Sequence, residues 1–166
     1  MTNYKYEETG IMDKFAILNL DNISFPDIDM KVEELDASSQ KELFFDFYDK
    51  LYQYPRDRFE RFYQWIESDE GPFSLPIIMR EGKIIATTRV ELQRETDRLY
   101  TFHIICGKNV DENECRKAIL DYIAKKVKMN PKKIYLYLGG DAQEYAEIYE
   151  KLGIEFEVVK SYEMKL

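Results

Sequence analysis

Few residues in this chain can take or give a proton near neutrality. The only histidine is His103. Imidazole titrates close to physiological pH, so His103 suits a general base that removes a proton from an amine. Glu91 is a carboxylate alternative for the same task. There are two cysteines, Cys106 and Cys115. A thiol becomes a nucleophile only when a base or cation stabilises its thiolate, and spacing sets no such group beside Cys106. No further cysteine or histidine stands at metal-ligand distance, so neither a zinc site nor a disulfide framework is expected. Each residue also has an ordinary alternative: a structural strand histidine, a solvated edge carboxylate, a pair of small apolar thiols.

These groups must be held by the elements around them. Residues 75–79 and 83–92 read as strands joined by Arg80-Glu81-Gly82-Lys83, a tight polar connection whose glycine suits a positive φ. Residues 99–106 form a third strand after a polar turn at 94–97, which predicts an antiparallel meander. Glu91 then lies on its second strand and His103 and Cys106 on its third. From 111 to 128 the period becomes helical, with Ala118, Ile119, Tyr122, Ile123 and Val127 on one face, until Asn130-Pro131 stops it. Asp111 and Asn113 are cap candidates, and the acids Asp111, Glu112 and Glu114 suit a helix start by a few tenths to about 1 kcal/mol each. A strand at 133–138, a turn with a cap at Gly139-Gly140-Asp141 and a helix at 142–152 follow. The order strand, helix, strand predicts one parallel pair in an otherwise antiparallel sheet.

Upstream, residues 1–28 read as an extension with at most one or two short strands, its apolar run being Phe15-Ala16-Ile17-Leu18. A weak strand at 30–35 leads to Asp36-Ala37-Ser38-Ser39, which offers an N-cap. Two amphipathic helices then span 39–54 and 56–68, separated by Pro55. Their apolar faces carry Leu43, Phe44, Phe47, Tyr48 and Leu51, then Phe59, Phe62, Tyr63 and Ile66.

The chain has 166 residues, 45% apolar and 14% aromatic, which predicts one globular domain over 1–166 without repeats. It should fold alone or as a simple oligomer such as a homodimer. With 32 acidic against 24 basic residues the net charge is −8, which disfavours nucleic acid and favours a cationic partner such as an amine, as well as plain solubility. No basic segment precedes an apolar run at the start, and no stretch of about 18 apolar residues occurs, so a cytoplasmic, membrane-free protein is expected.

The chain ends Tyr149-Glu150-Lys151-Leu152-Gly153-Ile154, then an alternating stretch at 155–159, then Tyr162-Glu163-Met164-Lys165-Leu166. A helix closed by glycine and followed by two short strands is the physical reading. This ending resembles the C-terminus of the GCN5-related N-acetyltransferases, and the order of elements over roughly 30–166 resembles theirs. The resemblance implies an α+β fold: a central, mostly antiparallel sheet with one parallel pair, flanked by about four helices. It implies acetyl-CoA as cofactor, lying where the fourth strand and the next parallel strand splay apart, and a primary amine of a small molecule or peptide as acceptor. Tyr149 would protonate the departing thiolate, and His103 or Glu91 would take the amine proton. Cofactor contacts would fall to Ile105, Cys106, Gly107, Lys108, Asn113, Arg116, Lys117 and Tyr145. Apart from the resemblance, the aromatics of the two helices exceed what one sheet face needs: most read as core packing, with Tyr52, Tyr54 and Trp65 the candidates for an acceptor pocket or an oligomer contact.

Two departures follow from the same alignment. The family's pyrophosphate loop reads Arg/Gln-x-x-Gly-x-Gly/Ala, whereas this chain sets Glu114 and Arg116 at its small positions and adds carboxylates that repel phosphate. In the last helix Ala142 and Tyr145 replace an asparagine and a small residue, which narrows the groove. The residues therefore leave two functions open: an N-acyltransferase, and a catalytically silent relative of the fold that serves as a binding or assembly module.

Overall fold

Period-two alternation and helical spacing sort the chain into short strands and four helices among the residues that the computed structural model describes, which are 5–7, 14–18, 25, 28–93, 98–102, 104–127, 134–137, 142–153, 156–160 and 163–165. In chain order the elements are β1 (Lys5–Glu7), β2 (Lys14–Leu18), β3 (Val32–Glu34), α1 (Lys41–Tyr52), α2 (Arg56–Glu67), β4 (Pro76–Arg80) and β5 (Lys83–Thr87). They continue with β6 (Val90–Gln93), β7 (Arg98–Thr101), β8 (Ile105–Cys106), α3 (Glu112–Val127), β9 (Ile134–Tyr137), α4 (Ala142–Lys151), β10 (Phe156–Lys160) and β11 (Glu163–Lys165). The result is the expected α+β architecture: antiparallel strand pairs throughout except for β7 and β9, which run parallel. The turns expected at 94–97, 130–131 and 139–141 lie outside the described residues.

The β4–β5 hairpin forms as its sequence dictates. Glu81 and Gly82 both take positive φ, 52° and 75°, the two-residue turn whose twist matches the flanking strands. The two strands after it differ from expectation. Residues 83–92 and 99–106 are each broken, into β5 and β6 and into β7 and β8. The cause is visible in the register. Thr87 pairs with Ile105, but Val90 pairs with Thr101, so two residues on one strand span the same gap as three on the other. One surplus residue makes a bulge, which bends and twists the sheet locally. Thr88 pins it by donating its hydroxyl to the Phe102 carbonyl at 2.8 Å, and the Phe102 N–H donates to the Arg89 carbonyl at 3.2 Å. The sheet divides there into β3-β4-β5-β8 and β10-β2-β9-β7-β6.

Each face of the sheet is covered by helices. Ile77 and Ile84 pack with Leu75 under the α1–α2 pair, against Phe44, Phe47, Phe59 and Tyr63. On the other face Ile78, Ala86, Val90, Leu99 and Ile104 pack against Cys115, Ala118, Ile119, Leu120, Ile123 and Ala124 of α3, joined by Tyr149 of α4. Burying each of the larger apolar side chains contributes about 1.5–3 kcal/mol, so these two layers hold the strands together across the break.

Two further expectations are corrected. The residues before α1 do not cap it: Asp36 spends its carboxylate on the Ser38 N–H and hydroxyl and the Ser39 hydroxyl, closing a turn of its own. Gln40 occupies the cap position and its side chain accepts the Asp36 N–H at 2.7 Å. The N-terminal segment is also more than an extension. Its strand β2 lies inside the sheet, antiparallel to β9 on one side and to β10 on the other, while β1 pairs with β11. The two closing strands are thus paired with the start of the chain.

Glu34 joins three elements. Its carboxylate accepts from the Leu75 N–H at 2.9 Å and the Tyr122 hydroxyl at 2.9 Å, and also from the Ser74 hydroxyl and Lys126. Burial pushes its pKa up, but the bonds from Lys126, Ser74, Leu75 and Tyr122 outweigh that and leave it below the ordinary 4.5. A group with a lowered folded pKa adds stability above its unfolded value and loses it as pH falls through the folded one. Urea unfolding from neutral pH to below 4.5 should show stability falling with acid, with a shallower fall in Glu34→Gln. Equal slopes in the two proteins would show that Glu34 is not part of the acid transition.

Candidate active site

The parallel pair and the bulge together create an opening. β7 and β9 are in register at Leu99–Ile134, Tyr100–Tyr135 and Thr101–Leu136. Immediately beyond Thr101 the bulge intervenes, and β8 pairs with β5 on its other flank; among the described residues β8 is an edge strand. The ladder between the two ribbons therefore ends at Thr101–Leu136 among the described residues, leaving an opening in the pairing beyond it. The ladder also fixes which amide faces the gap. Gly107 donates its N–H to the Ile85 carbonyl at 2.8 Å, so that pair is hydrogen-bonded and the neighbouring pair Ala86–Cys106 is not. The backbone N–H of Cys106 consequently points away from β5, toward the opening.

Thr101 stands at the apex. It is fully buried, and among the described residues its hydroxyl has no hydrogen-bond partner. Leaving a buried hydroxyl unsatisfied costs about 1–3 kcal/mol, so this atom marks a place where the fold gives up stability beside the gap.

Beyond the gap, Gly107, Lys108 and Asn109, the last with φ 59°, lead into α3. Asp111 caps this helix: its side chain accepts the Glu114 N–H at 3.2 Å and its carbonyl accepts the Cys115 N–H at 3.0 Å. Asn113 lies exposed in the first turn. Arg116 is turned to Glu112 at 3.1 Å and Lys117 to Glu114 at 3.4 Å. The helix start is therefore occupied by its own carboxylates, and two of the cations expected to face a phosphate are already neutralised.

The proton-transfer candidates fall on different elements. Tyr149 is 1% exposed and packs in the same apolar cluster as Leu99, Ile104 and α3. Tyr145 stands one turn earlier on α4. His103 lies outside the described residues. Glu91 is on the opposite face from the buried Val90 and holds Arg89 at 3.2 Å. The hydrogen bond of Cys106 to Cys115, with burial second, pushes its thiol pKa up.

On the α2 side of the bulge, Arg89 lies over the rings of Phe102 at 4.2 Å, Phe62 at 5.8 Å and Trp65 at 5.8 Å. Tyr48 continues this aromatic run to Tyr52 and Tyr54 at the α1–α2 turn, with centroids 6.2 and 5.6 Å away. Of the three aromatics expected to serve recognition, Tyr52 is the most open, at 54% exposed.

Comparison with solved structures places this arrangement. A GNAT-family acetyltransferase from Colwellia psychrerythraea superposes with a TM-score of 0.66 at 15% identity, covering 97% of this chain and 56% of that one. A GCN5-related N-acetyltransferase from Sphaerobacter thermophilus gives 0.63 at 12%, covering 96% and 52%. The chain has the GCN5-related acetyltransferase fold. A smaller protein with this fold, ribosomal-protein-alanine N-acetyltransferase from Brucella melitensis biovar Abortus, gives 0.52 at 14%, covering 74% of this chain and 90% of that one. The chain thus spans little more than half the length of the first two acetyltransferases. No protein-family model matches the sequence, and no curated protein matches it.

Within the acetyltransferase fold, the strand edge and the helix start answer differently to an acyl-CoA. The Cys106 amide is a backbone donor turned away from β5 that could hold a thioester arm, whereas the Thr101 hydroxyl is buried on the same strand face as Leu99. The start of α3 does not suit a pyrophosphate in the usual manner, because Asp111, Glu112 and Glu114 hold it. Sequence reasoning missed Thr101, Arg89 and a pocket beside Gly107. A threonine in a strand looks like any β-branched residue, and the other groups come together only through the fold. Asp111→Ala should lower stability by about 0.5–2 kcal/mol in urea unfolding, the usual loss for an N-cap. An unchanged midpoint would mean that the cap is dispensable.

Proposed function

We propose that this chain is an acyl-CoA-dependent N-acyltransferase that acts on a primary amine of a small molecule or peptide. The observation that carries the reading is the end of the β7–β9 pairing just past Thr101, with the Cys106 N–H turned into the opening. Acetyl-CoA, when bound, supplies an acyl group already activated as a thioester. The Cys106 N–H donates to the acyl oxygen, where negative charge gathers during attack. Tyr149 holds a proton at its phenol oxygen for the leaving sulfur, and His103 or Glu91 takes the proton from the attacking amine. Lys108, exposed and next to the start of α3, is the cation placed to offset the acids there. The aromatic run from Tyr52 to Trp65 and the net charge of −8 suit an amine acceptor.

A second reading has one specific observation in its favour. The neutralised start of α3 suits a module that keeps the acetyltransferase fold without its cofactor.

Thermal unfolding with increasing acetyl-CoA separates the two. An enzyme gains stability by mass action, about 2.7 kcal/mol at a hundredfold excess over Kd, and Thr101→Val, which removes a buried unsatisfied hydroxyl, should leave the ligand-free protein equal or more stable. No stabilisation at millimolar acetyl-CoA would leave the module. With an amine panel and thiol release as readout, Tyr149→Phe should cut turnover by about 10²–10⁴-fold while the acetyl-CoA stabilisation persists. Unchanged turnover would remove Tyr149 from the chemistry.

A further inference from the structure

A pocket of about 220 Å³ opens on the other flank of β8, between α1, the start of β5 and the loop entering α3. Leu43, Phe47, Leu51, Ile84, Ile85 and Val110 give it an apolar lining. Lys50, Lys83 and Lys108 stand around it with a single acid, Asp46. None of these three lysines enters an ion pair among the described residues, in a chain whose net charge is −8. Lys50, Lys83 and Lys108 are each exposed, so solvent screens their mutual repulsion and they leave a positive rim around the apolar hollow.

Gly107 keeps the hollow open. A Cβ there would lie 3.3 Å from the Ile85 carbonyl oxygen and 3.8 Å from the Phe47 ring. Because the backbone of Gly107 is tied to Ile85, easing the tight approach to that carbonyl would need a backbone shift, whereas the Phe47 ring would meet the added group at ordinary contact distance. The pocket is distinct from the opening toward β9: it lies on the β5 side of the strand and under α1.

From this geometry we propose that the pocket binds a small aliphatic carboxylate, its chain laid on Phe47, Ile84 and Val110 and its headgroup held among Lys50, Lys83 and Lys108. A volume of about 220 Å³, at about 30 Å³ per water-sized group, accommodates roughly seven such groups, the size of a six-carbon acid. Its sign follows from the lysines, and its apolar body from the lining. One acid among three lysines leaves a net positive rim, which discriminates against an amine of the same length. This proposal shares Lys108 with the acyl-transfer reading but stands if the chain binds no acetyl-CoA, because Lys50, Lys83 and the apolar lining have no part in that reading.

The test is proton–nitrogen NMR titration of the full chain with sodium hexanoate, hexylamine and acetate. Hexanoate should shift Ile84, Ile85 and Gly107 saturably, while hexylamine and acetate should not. Reversing two charges in Lys50→Glu/Lys83→Glu should weaken hexanoate by about tenfold or more, the scale of introducing like charges at a polar contact. Lys108→Glu, in an exposed turn, provides a second variant should the double one misfold. Absence of hexanoate shifts at millimolar concentration, equal binding of hexylamine, or wild-type affinity in the folded variant would each overturn the proposal.

Discussion

One surplus residue in a strand pairing governs the shape of this molecule. Residues 88–89 face residues 102–104, and the Thr88 hydroxyl bond to the Phe102 carbonyl holds that mismatch in place. Upstream of it β7 can align with β9; downstream of it β8 follows β5 instead. A continuous pairing would close the sheet and leave no exposed amide at Cys106. The two helical layers are what make the mismatch tolerable, since apolar burial on both faces far exceeds the loss of a few ladder bonds.

Electrostatics then set what each rim of β8 can receive. At the start of α3 the acids that stabilise the helix also claim its free N–H groups and its neighbouring cations. A helix terminus can serve its own cap or an incoming anion, and here local stability has taken the larger share. Around Lys50, Lys83 and Lys108 the balance is reversed, with positive charge left unanswered by the fold.

Most of the architecture was legible because it rests on local chemistry. The Glu81-Gly82 turn, the apolar spacing of α1, α2 and α3, and the glycine after α4 each announce an element through its own residues. The parallel pair followed from element order alone. What stayed hidden is relational. The bulge has no marker in residues 102–104, because it arises from counting two strands against each other. Asp36 looked like a cap and closes a turn, since two serines compete for its oxygens within three positions. The N-terminal run Phe15-Ala16-Ile17-Leu18 looked like an appendage because its partners are remote. In the site, Cys106 and Gly107 were legible as positions, whereas the direction of their amides required the register.

The placement of β2 bears on how the chain comes to be made. Its neighbours β9 and β10 leave the ribosome long after it does, so this strand must wait with both edges unpaired while the rest is synthesised. The half of the sheet containing β7 and β9 is therefore completed last, through contacts of great sequence separation that close slowly. Of everything in the fold, the wall opposite Cys106 is the part that matures late, and nascent chains should acquire the α1–α2 layer well before they acquire an opening to work in.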